Sequence, residues 1–143
     1  MTKKLKMLGR IKDTRKRVRD VAAAVAAGAE AQRIEAAEKK EGAADALDEL
    51  YRDAASRFTA AETVRGLLQY ELERAHATEH LRAAEMGLVE AARHAELRRQ
   101  ELARKEVELR RAEKVMERQK LHDAQKERKA EQKASDDIAG RQR

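Results

Sequence analysis

The sequence predicts an all-α protein in which two long helices form an antiparallel coiled-coil hairpin, with the second helix longer than the first. Charged residues make up 42% of the 143 residues and aromatic residues 2%, which is typical of long-helix proteins rather than globular enzymes. Proline is absent and glycine occurs at six positions, so little interrupts a continuous helix. Apolar residues also recur at steps of three and four, the spacing of one helix face.

The first helix is predicted from about residue 3 to about residue 55. Positions that step by three and four along it are mostly apolar, namely Leu8, Ile11, Val18, Ala22, Val25, Ala29 and Ala36. We therefore expect this row to face a partner helix. The longest uncharged apolar run, residues 21–29, is too short to span a bilayer. The first twenty residues lack the apolar segment of a signal peptide, so a soluble, unprocessed chain is expected.

The second helix is predicted from about residue 60 to about residue 138. Eight of ten positions spaced by seven are apolar in the series Ala60, Leu67, Arg74, Leu81, Leu88, Ala95, Leu102, Leu109, Met116 and Asp123. A heptad repeat of this length predicts the seam of a coiled coil.

The turn between the helices is predicted at about residues 55–60. Thr59 and Glu62 have the spacing of a capping box, in which the two side chains satisfy N–H groups at the start of a helix. Gly42 is the alternative position for the break. A reversal near residue 58 pairs residues whose numbers sum to roughly 116. It would set the alanine-rich segment 21–31 against 85–95 and leave residues beyond roughly 112 without a partner in the first helix.

Charge is distributed unevenly along the sequence. Residues 1–20 contain nine Lys or Arg and two Asp, and residues 98–143 contain fifteen basic and ten acidic residues. Residues 21–97 contain nine basic and fifteen acidic residues. In the predicted hairpin the open end is therefore basic and the turn end acidic. A basic end is steered towards an acidic or phosphate-bearing partner, although charges on a coiled coil are often only a solvated face.

The three aromatic residues, Tyr51, Phe58 and Tyr70, all flank the predicted turn. They either plug the end of the hairpin or form a patch for a partner, since exposed apolar clusters commonly mark interaction sites.

The segment HATEH, residues 76–80, has the His-x-x-Glu-His spacing of an inverted zinc-hydrolase motif. With Leu81 in the seam, His76, Glu79 and His80 fall on a solvated flank without a cleft. His94 and His122 lie far along the same helix and cannot complete a site. We therefore expect no metal site, no cofactor and no catalytic residue, and weak adventitious zinc binding is the alternative.

The second helix ends in a distinctive charged pattern. Residues 109–141, LRRAEKVMERQKLHDAQKERKAEQKASDDIAGR, combine a basic and acidic run with the apolar pair Val115 and Met116, and close with Asp-Asp-Ile-Ala at 136–139. In this pattern, and in length, charge and two-helix layout, the chain resembles the central-stalk family of type III secretion systems, the FliJ and YscO type.

This resemblance implies a fold similar to the paired terminal helices of the rotary ATP synthase gamma subunit. It implies a non-enzymatic coupling protein of a flagellar or injectisome export apparatus, located in the cytoplasm or at the periphery of the inner-membrane apparatus. The open end would enter the hexameric export ATPase and promote its assembly and hydrolysis, and the hairpin tip would face the export gate protein. Secretion chaperones are a further partner class in the family.

Local charge and apolarity select the candidate partner-binding residues under this interpretation. The candidates facing the ATPase are Arg10, Arg15, Arg17, Arg19, Arg110, Arg111, Lys114 and Arg118. The candidates at the hairpin tip are Tyr51, Phe58 and Tyr70.

Nucleic-acid binding and a generic scaffold are the two alternatives to the stalk interpretation. The basic segment 3–19 could contact nucleic acid phosphates, but it lacks interleaved aromatic residues and has an apolar stripe that implies a helical partner, so no nucleic acid is expected. Its small apolar anchors Leu5, Leu8 and Ile11 predict no stable membrane insertion. A generic scaffold that dimerises through the same heptads is the third interpretation, whereas the hairpin predicts a monomer.

Overall fold

The computed structural model describes residues 2–57 and 64–142, and these form two α-helices. Helix α1 spans Lys3–Arg57 and helix α2 spans Val64–Arg141, with 55 and 78 residues. The predicted all-α hairpin with a longer second helix is therefore confirmed. Helix α1 continues through Gly42, so the alternative break does not occur there. The remainder of the predicted turn, together with Thr59 and Glu62, lies outside the described residues.

Helix α1 begins at a side-chain cap. The backbone N–H of Leu5 donates to Thr2 Oγ1 over 3.3 Å, and the backbone N–H of Lys6 donates to the Thr2 carbonyl over 3.1 Å. These are the contacts of an N-cap threonine, which satisfies donors that have no partner inside the helix. The Thr2 hydroxyl also donates to Asp123 Oδ2 over 3.2 Å, so one residue both starts α1 and joins it to α2.

The chain divides into two compact units, each containing part of both helices. The first, here called the basic unit, comprises residues 1–23 and 101–143 and has 22 Lys or Arg and 12 Asp or Glu, a net charge of +10. The second, here called the acidic unit, comprises residues 24–100 and has 11 basic and 15 acidic residues, a net charge of −4. The charge segregation noted in the sequence thus coincides with the division of the fold.

The helices run antiparallel in each unit, but in a different register from the expected one. In the basic unit Thr2 contacts Asp123 and Arg15 contacts Glu108, so paired numbers sum to 125 and 123. The expected sum of about 116 was wrong, because α1 remains helical to Arg57 and α2 begins at Val64. Pairing therefore extends to Asp123, well beyond the expected limit near residue 112.

The predicted heptad seam of α2 is confirmed from Arg74 onward. Leu67 is 40% exposed, so it does not belong to the seam, and Ala60 lies outside the described residues. Each of its positions from Arg74 onward is buried or half-buried: Arg74, Leu81, Leu88, Ala95, Leu102, Leu109, Met116 and Asp123. The positions share one helix face because seven residues make about two turns. Ala95 and Leu109 are the most buried of them.

The buried face of α1 differs from the predicted row. Leu8, Ala22, Ala29 and Ala36 lie inside as expected, but Ile11, Val18 and Val25 are 42%, 39% and 43% exposed. The residues that follow Ile11 and Val18, Lys12 and Arg19, are half-buried in their place. One series of buried or half-buried positions, spaced by seven, is Leu5, Lys12, Arg19, Ala26, Arg33, Lys40, Leu47 and Ala54, and it lies beside the positions named above. Long basic side chains can line a seam because their aliphatic stems pack while the charged groups reach water.

Candidate partner-binding surfaces

All eight basic residues proposed for the open end lie in the basic unit. Seven of them are exposed, and Arg19 is half-buried in the seam. They do not form one continuous patch, because α1 and α2 each present them on more than one face. Arg10 and Arg17 are seven residues apart on one face of α1, and Arg111 and Arg118 have the same spacing on α2.

Some of these cations are already paired with carboxylates. Arg15 Nη1 lies 2.6 Å from Glu108 Oε2 on the other helix, and Lys105 Nζ lies 3.7 Å from the same oxygen. Arg19 Nε donates to Asp20 Oδ1 over 2.8 Å, and Arg110 Nη2 lies 3.9 Å from Glu106. Arg15, Arg19 and Arg110 therefore hold structural ion pairs.

A groove of about 440 Å³ lies between the helices of the basic unit. Its apolar lining is formed by Leu8, Ile11, Ala112 and Val115, and its polar lining by Arg15, Glu108 and Arg111. We call it the flank groove. Sequence reasoning missed it because Ile11 was assigned to the seam, whereas Ile11 lies beside the seam and leaves apolar surface open.

Helix α2 extends beyond its pairing with α1. The N-cap residue of α1, Thr2, contacts Asp123, and Gln119 Nε2 donates to the same carboxylate over 2.9 Å. Residues 124–142 are all exposed, and they remain helical as far as Arg141. A single helix of this length presents every face to solvent, which makes it accessible to a partner.

The aromatic residues near the hairpin turn have different environments. Tyr70 is buried at 7% exposure, whereas Tyr51 is 50% exposed. Phe58 lies outside the described residues. The hydrogen bonds that Arg74 donates to Glu71, and then a hydrogen bond with Tyr51, raise the pKa of Arg74 above its usual value. Arg74 Nη2 lies 2.9 Å from Glu71 Oε2. Tyr70 is therefore packed within the hairpin end, whereas Tyr51 is accessible to a partner.

An exposed apolar row at the start of α2 was not singled out from the sequence. Val64, Leu68 and Leu72 are 73%, 61% and 73% exposed. Their spacing of four places them along one side of the helix. That spacing is visible in the sequence, where Leu68 lies close to the aromatic residues of the predicted tip. Together with Tyr51 and Leu67, which is 40% exposed, this row forms an apolar surface at the described part of the hairpin end.

The histidine motif lies on an open surface. His76, Glu79 and His80 are all exposed, and the described residues contain no group of three His, Cys, Asp or Glu placed to hold a metal. His80 lies at the edge of a groove of about 750 Å³ in the acidic unit. Small residues line most of it, namely Ala36, Gly42, Ala43, Ala46, Ala83, Ala84 and Gly87. The groove exists because these residues leave the space beside the seam unfilled.

An ion-pair network joins the helices of the acidic unit. Glu30 lies 2.6 Å from Arg33 on α1 and 3.6 Å from Arg99 on α2, and Arg99 lies 2.9 Å from Glu96. The hydrogen bond from Arg33 lowers the pKa of Glu30, partial desolvation opposes that change, and the positive charges of Arg33 and Arg99 add to it. The network is solvent-exposed, so it directs the pairing of the helices more than it stabilises them.

No protein-family model, curated protein or solved structure matches this chain. Over the described residues, neither helix contains a stretch long and apolar enough to cross a membrane.

Proposed function

We propose that this chain is a non-enzymatic stalk protein of a type III secretion export apparatus, flagellar or injectisome. Its basic unit binds the hexameric export ATPase, and its hairpin end binds the export gate protein. Secretion chaperones are a further class of partner in this proposal. The protein acts in the cytoplasm, at the periphery of the inner-membrane apparatus.

The observation that carries the proposal is the single-helix extension of α2 in the basic unit. Pairing with α1 ends where Thr2 contacts Asp123, and residues 124–142 continue as one exposed helix. The unit as a whole has a net charge of +10. A basic helical element that changes from two helices to one suits entry into a ring whose inner surface is acidic or carries bound phosphate. The hairpin with unequal arms also agrees with the layout that the family resemblance implies.

The mechanism is mechanical and electrostatic. A helical element without rotational symmetry contacts the six subunits of a ring unequally. Because a ligand shifts a conformational equilibrium only through its differential affinity for the states, unequal contacts favour different states in different subunits. No side chain of the stalk has to perform chemistry, and the ATPase retains its own catalytic residues.

The proposal is tested by titrating the export ATPase of the same source with this protein and measuring ATP hydrolysis. Stimulation that saturates near one chain per six ATPase subunits is expected. A flat response from an ATPase that is active and able to assemble would refute the stalk role.

A charge-reversal variant tests the location of the ATPase contact. Replacing Arg110, Arg111 and Lys114 by Glu should lower the stimulation severalfold while circular dichroism still reports a helical protein. The matched control replaces three exposed basic residues of the acidic unit, Arg52, Arg65 and Arg82, by Glu. Both variants change the net charge equally, so an equal loss in both would indicate only a dependence on total charge.

Nucleic-acid binding is a second candidate function, favoured by the concentration of charge in the basic unit. It predicts a gel shift on random DNA or RNA whose affinity falls steeply with salt. A shift that persists at physiological salt, combined with no effect on the ATPase, would favour this function over the stalk.

A further inference from the structure

We propose that the flank groove of the basic unit binds one amphipathic helix of a partner protein, with large aliphatic residues on its buried face and Asp or Glu along one edge. The two helices of the unit would thereby form a three-helix arrangement with the partner. The flank groove is separate from the seam, and binding of a helix there does not require the partner to be the export ATPase.

One wall of the groove is apolar and comes from α1. Ile11 lines the groove, and Val18 lies seven residues further along the same face. Met7 and Val21 continue this row, and all four side chains are exposed, from 39% for Val18 to 65% for Val21. Spacings of four, seven and three residues keep them on one side of the helix. An exposed apolar row of this length, next to an already formed helix pair, is the surface that a third helix covers.

On the α2 side, Arg111 lines the groove, and Arg104 and Arg118 continue its row along the helix at a spacing of seven. Arg104, Arg111 and Arg118 each follow a seam residue by two positions, after Leu102, Leu109 and Met116 respectively, and all three are exposed. The position of Arg111 fixes the side of the helix on which the row lies. Arg104 and Arg118 are separated by fourteen helical steps, about 21 Å at 1.5 Å per residue.

The charges of this row are open to an incoming partner. Glu108, the carboxylate that lines the groove, is already held by Arg15 at 2.6 Å and by Lys105 at 3.7 Å. It therefore does not neutralise the row. Carboxylates spaced by seven residues on a partner helix would meet Arg104, Arg111 and Arg118 in register, while its aliphatic side chains enter between Ile11 and Val115.

The same charges argue against a second copy of this chain as the occupant. Two basic units carry +10 each, and their arginine rows would have to approach each other or face the apolar wall of the other copy. Either arrangement brings like charges together or desolvates guanidinium groups without partners, which is unfavourable. An acidic helix has neither problem, so the groove favours a partner of opposite charge.

The test uses the full chain and two synthetic 21-residue helical peptides with Leu at the buried positions. One peptide carries Glu at every seventh flanking position and the other carries Lys there. Fluorescence anisotropy would measure their binding at a concentration where each peptide alone is monomeric. Three variants accompany the natural sequence. The first replaces Arg104, Arg111 and Arg118 by Glu, and the second replaces Ile11 and Val18 by Gln. The matched control replaces Lys126, Arg128 and Lys129, which are exposed and distant from the groove along α2, by Glu.

Saturable binding of the Glu peptide is expected, with affinity at least about tenfold weaker for the Lys peptide. The arginine-row variant and the Ile11→Gln, Val18→Gln variant should each weaken the Glu peptide by about tenfold, and the control should leave it unchanged. Equal weakening by the control would reduce the effect to general electrostatics and overturn the proposal. Absence of saturable binding to a helical chain would do the same. A dimer detected by sedimentation and abolished by Ile11→Gln, Val18→Gln would show that a second copy occupies the groove.

Because this assay contains no ATPase, its result is independent of the proposed stalk function. Failure of ATPase stimulation with normal peptide binding would leave the groove intact as a docking site. Normal stimulation without peptide binding would leave the stalk role intact and remove the groove.

Discussion

At the scale of single residues, the junction between the N-terminus of α1 and Asp123 determines where the helix pair ends. Thr2 caps α1 through the N–H of Leu5 and donates its own proton to the Asp123 carboxylate. Asp123 occupies a seam position of α2 and also accepts from Gln119. A polar residue at a seam position ends the apolar packing there, and the hydrogen bonds make that end specific.

Replacing Thr2 by Ala should lower the free energy of unfolding by about 1 kcal/mol, because it removes an N-cap and the hydrogen bond to Asp123. Urea denaturation followed by circular dichroism would measure the change. Thr14→Ala is the matched control, since the Thr14 hydroxyl only donates to the Arg10 carbonyl within its own helix. The control should be neutral or slightly stabilising. Equal destabilisation by both substitutions would contradict the role given to Thr2.

The ion pairs of Glu30 predict a pH dependence of stability. Its pKa is lowered from 4.5 in the folded protein, chiefly by the hydrogen bond from Arg33. A carboxyl group with a lowered folded pKa contributes stability that is fully present above the unfolded pKa and is lost as the pH falls through the folded pKa. The difference in urea midpoint between the natural chain and Glu30→Gln should therefore be largest above about pH 5 and shrink towards pH 3.

Glu38→Gln provides the comparison for this experiment, because Glu38 is an exposed residue of the same helix. Its difference from the natural chain should vary less with pH. If the two variants behave alike across the range, the network around Glu30 contributes nothing specific to the acidic unit.

At the scale of helices, the sequence predicted the type and number of elements well. Continuous helix followed from the absence of proline, and the seam of α2 followed from the heptad series through Leu81, Leu88 and Leu102. Both depend on local geometry, which a single sequence contains. The seam of α1 was displaced by one position at Lys12 and Arg19, because hydrophobicity favours Ile11 and Val18 for the buried sites. Long basic side chains pack by their stems, and a pattern of residue types does not reveal which face α2 covers.

The register of the pair was the least predictable feature of the fold. A shift of the reversal by a few residues changes every pairing, and neither Gly nor Pro marks the turn. The flank groove was missed for the same reason. It exists only because Ile11 is outside the seam, and this depends on the packing between helices rather than on either helix alone.

Two substitutions on α2 test the observed register. Leu109 is 6% exposed in the seam, and Val107 is 42% exposed two positions earlier. Leu109→Ala should reduce the free energy of unfolding by about 2–3 kcal/mol, because it opens a gap in the packed face. Val107→Ala should change it by no more than about 0.5 kcal/mol, since it lies outside that face. Urea unfolding of both variants at equal concentration gives the comparison, and similar losses would indicate that the buried face of α2 lies elsewhere.

At the scale of the whole molecule, the heptads alone allow either an intramolecular hairpin or an association of two chains. The ion pairs argue for the hairpin within each unit. Arg15 meets Glu108 in the basic unit, and Glu30 meets Arg99 in the acidic unit. These pairings come from distant parts of the same chain, and they also fix the partner faces on which both proposals depend. The sequence is enough to predict which regions are strongly charged. Which residues line the groove depends on how the two helices pack, so it could not be predicted from the sequence.

Spin labels on the cysteine-free chain distinguish the hairpin from a dimer of extended helices. Asp13 and Arg110 are exposed and lie near each other in the paired register, so each can be replaced by a labelled Cys. Given an interaxial spacing of ~8–10 Å, the hairpin predicts a label separation of about 20–30 Å within one chain. If one chain were instead a single extended helix, the two sites would be roughly 145 Å apart. Double electron–electron resonance would measure this separation on doubly labelled protein diluted fivefold with unlabelled protein. A hairpin retains the short distance on dilution, because both labels lie on one chain. Loss of that distance on dilution would show that the pairing is between chains, and the basic unit would then contain helices from two molecules.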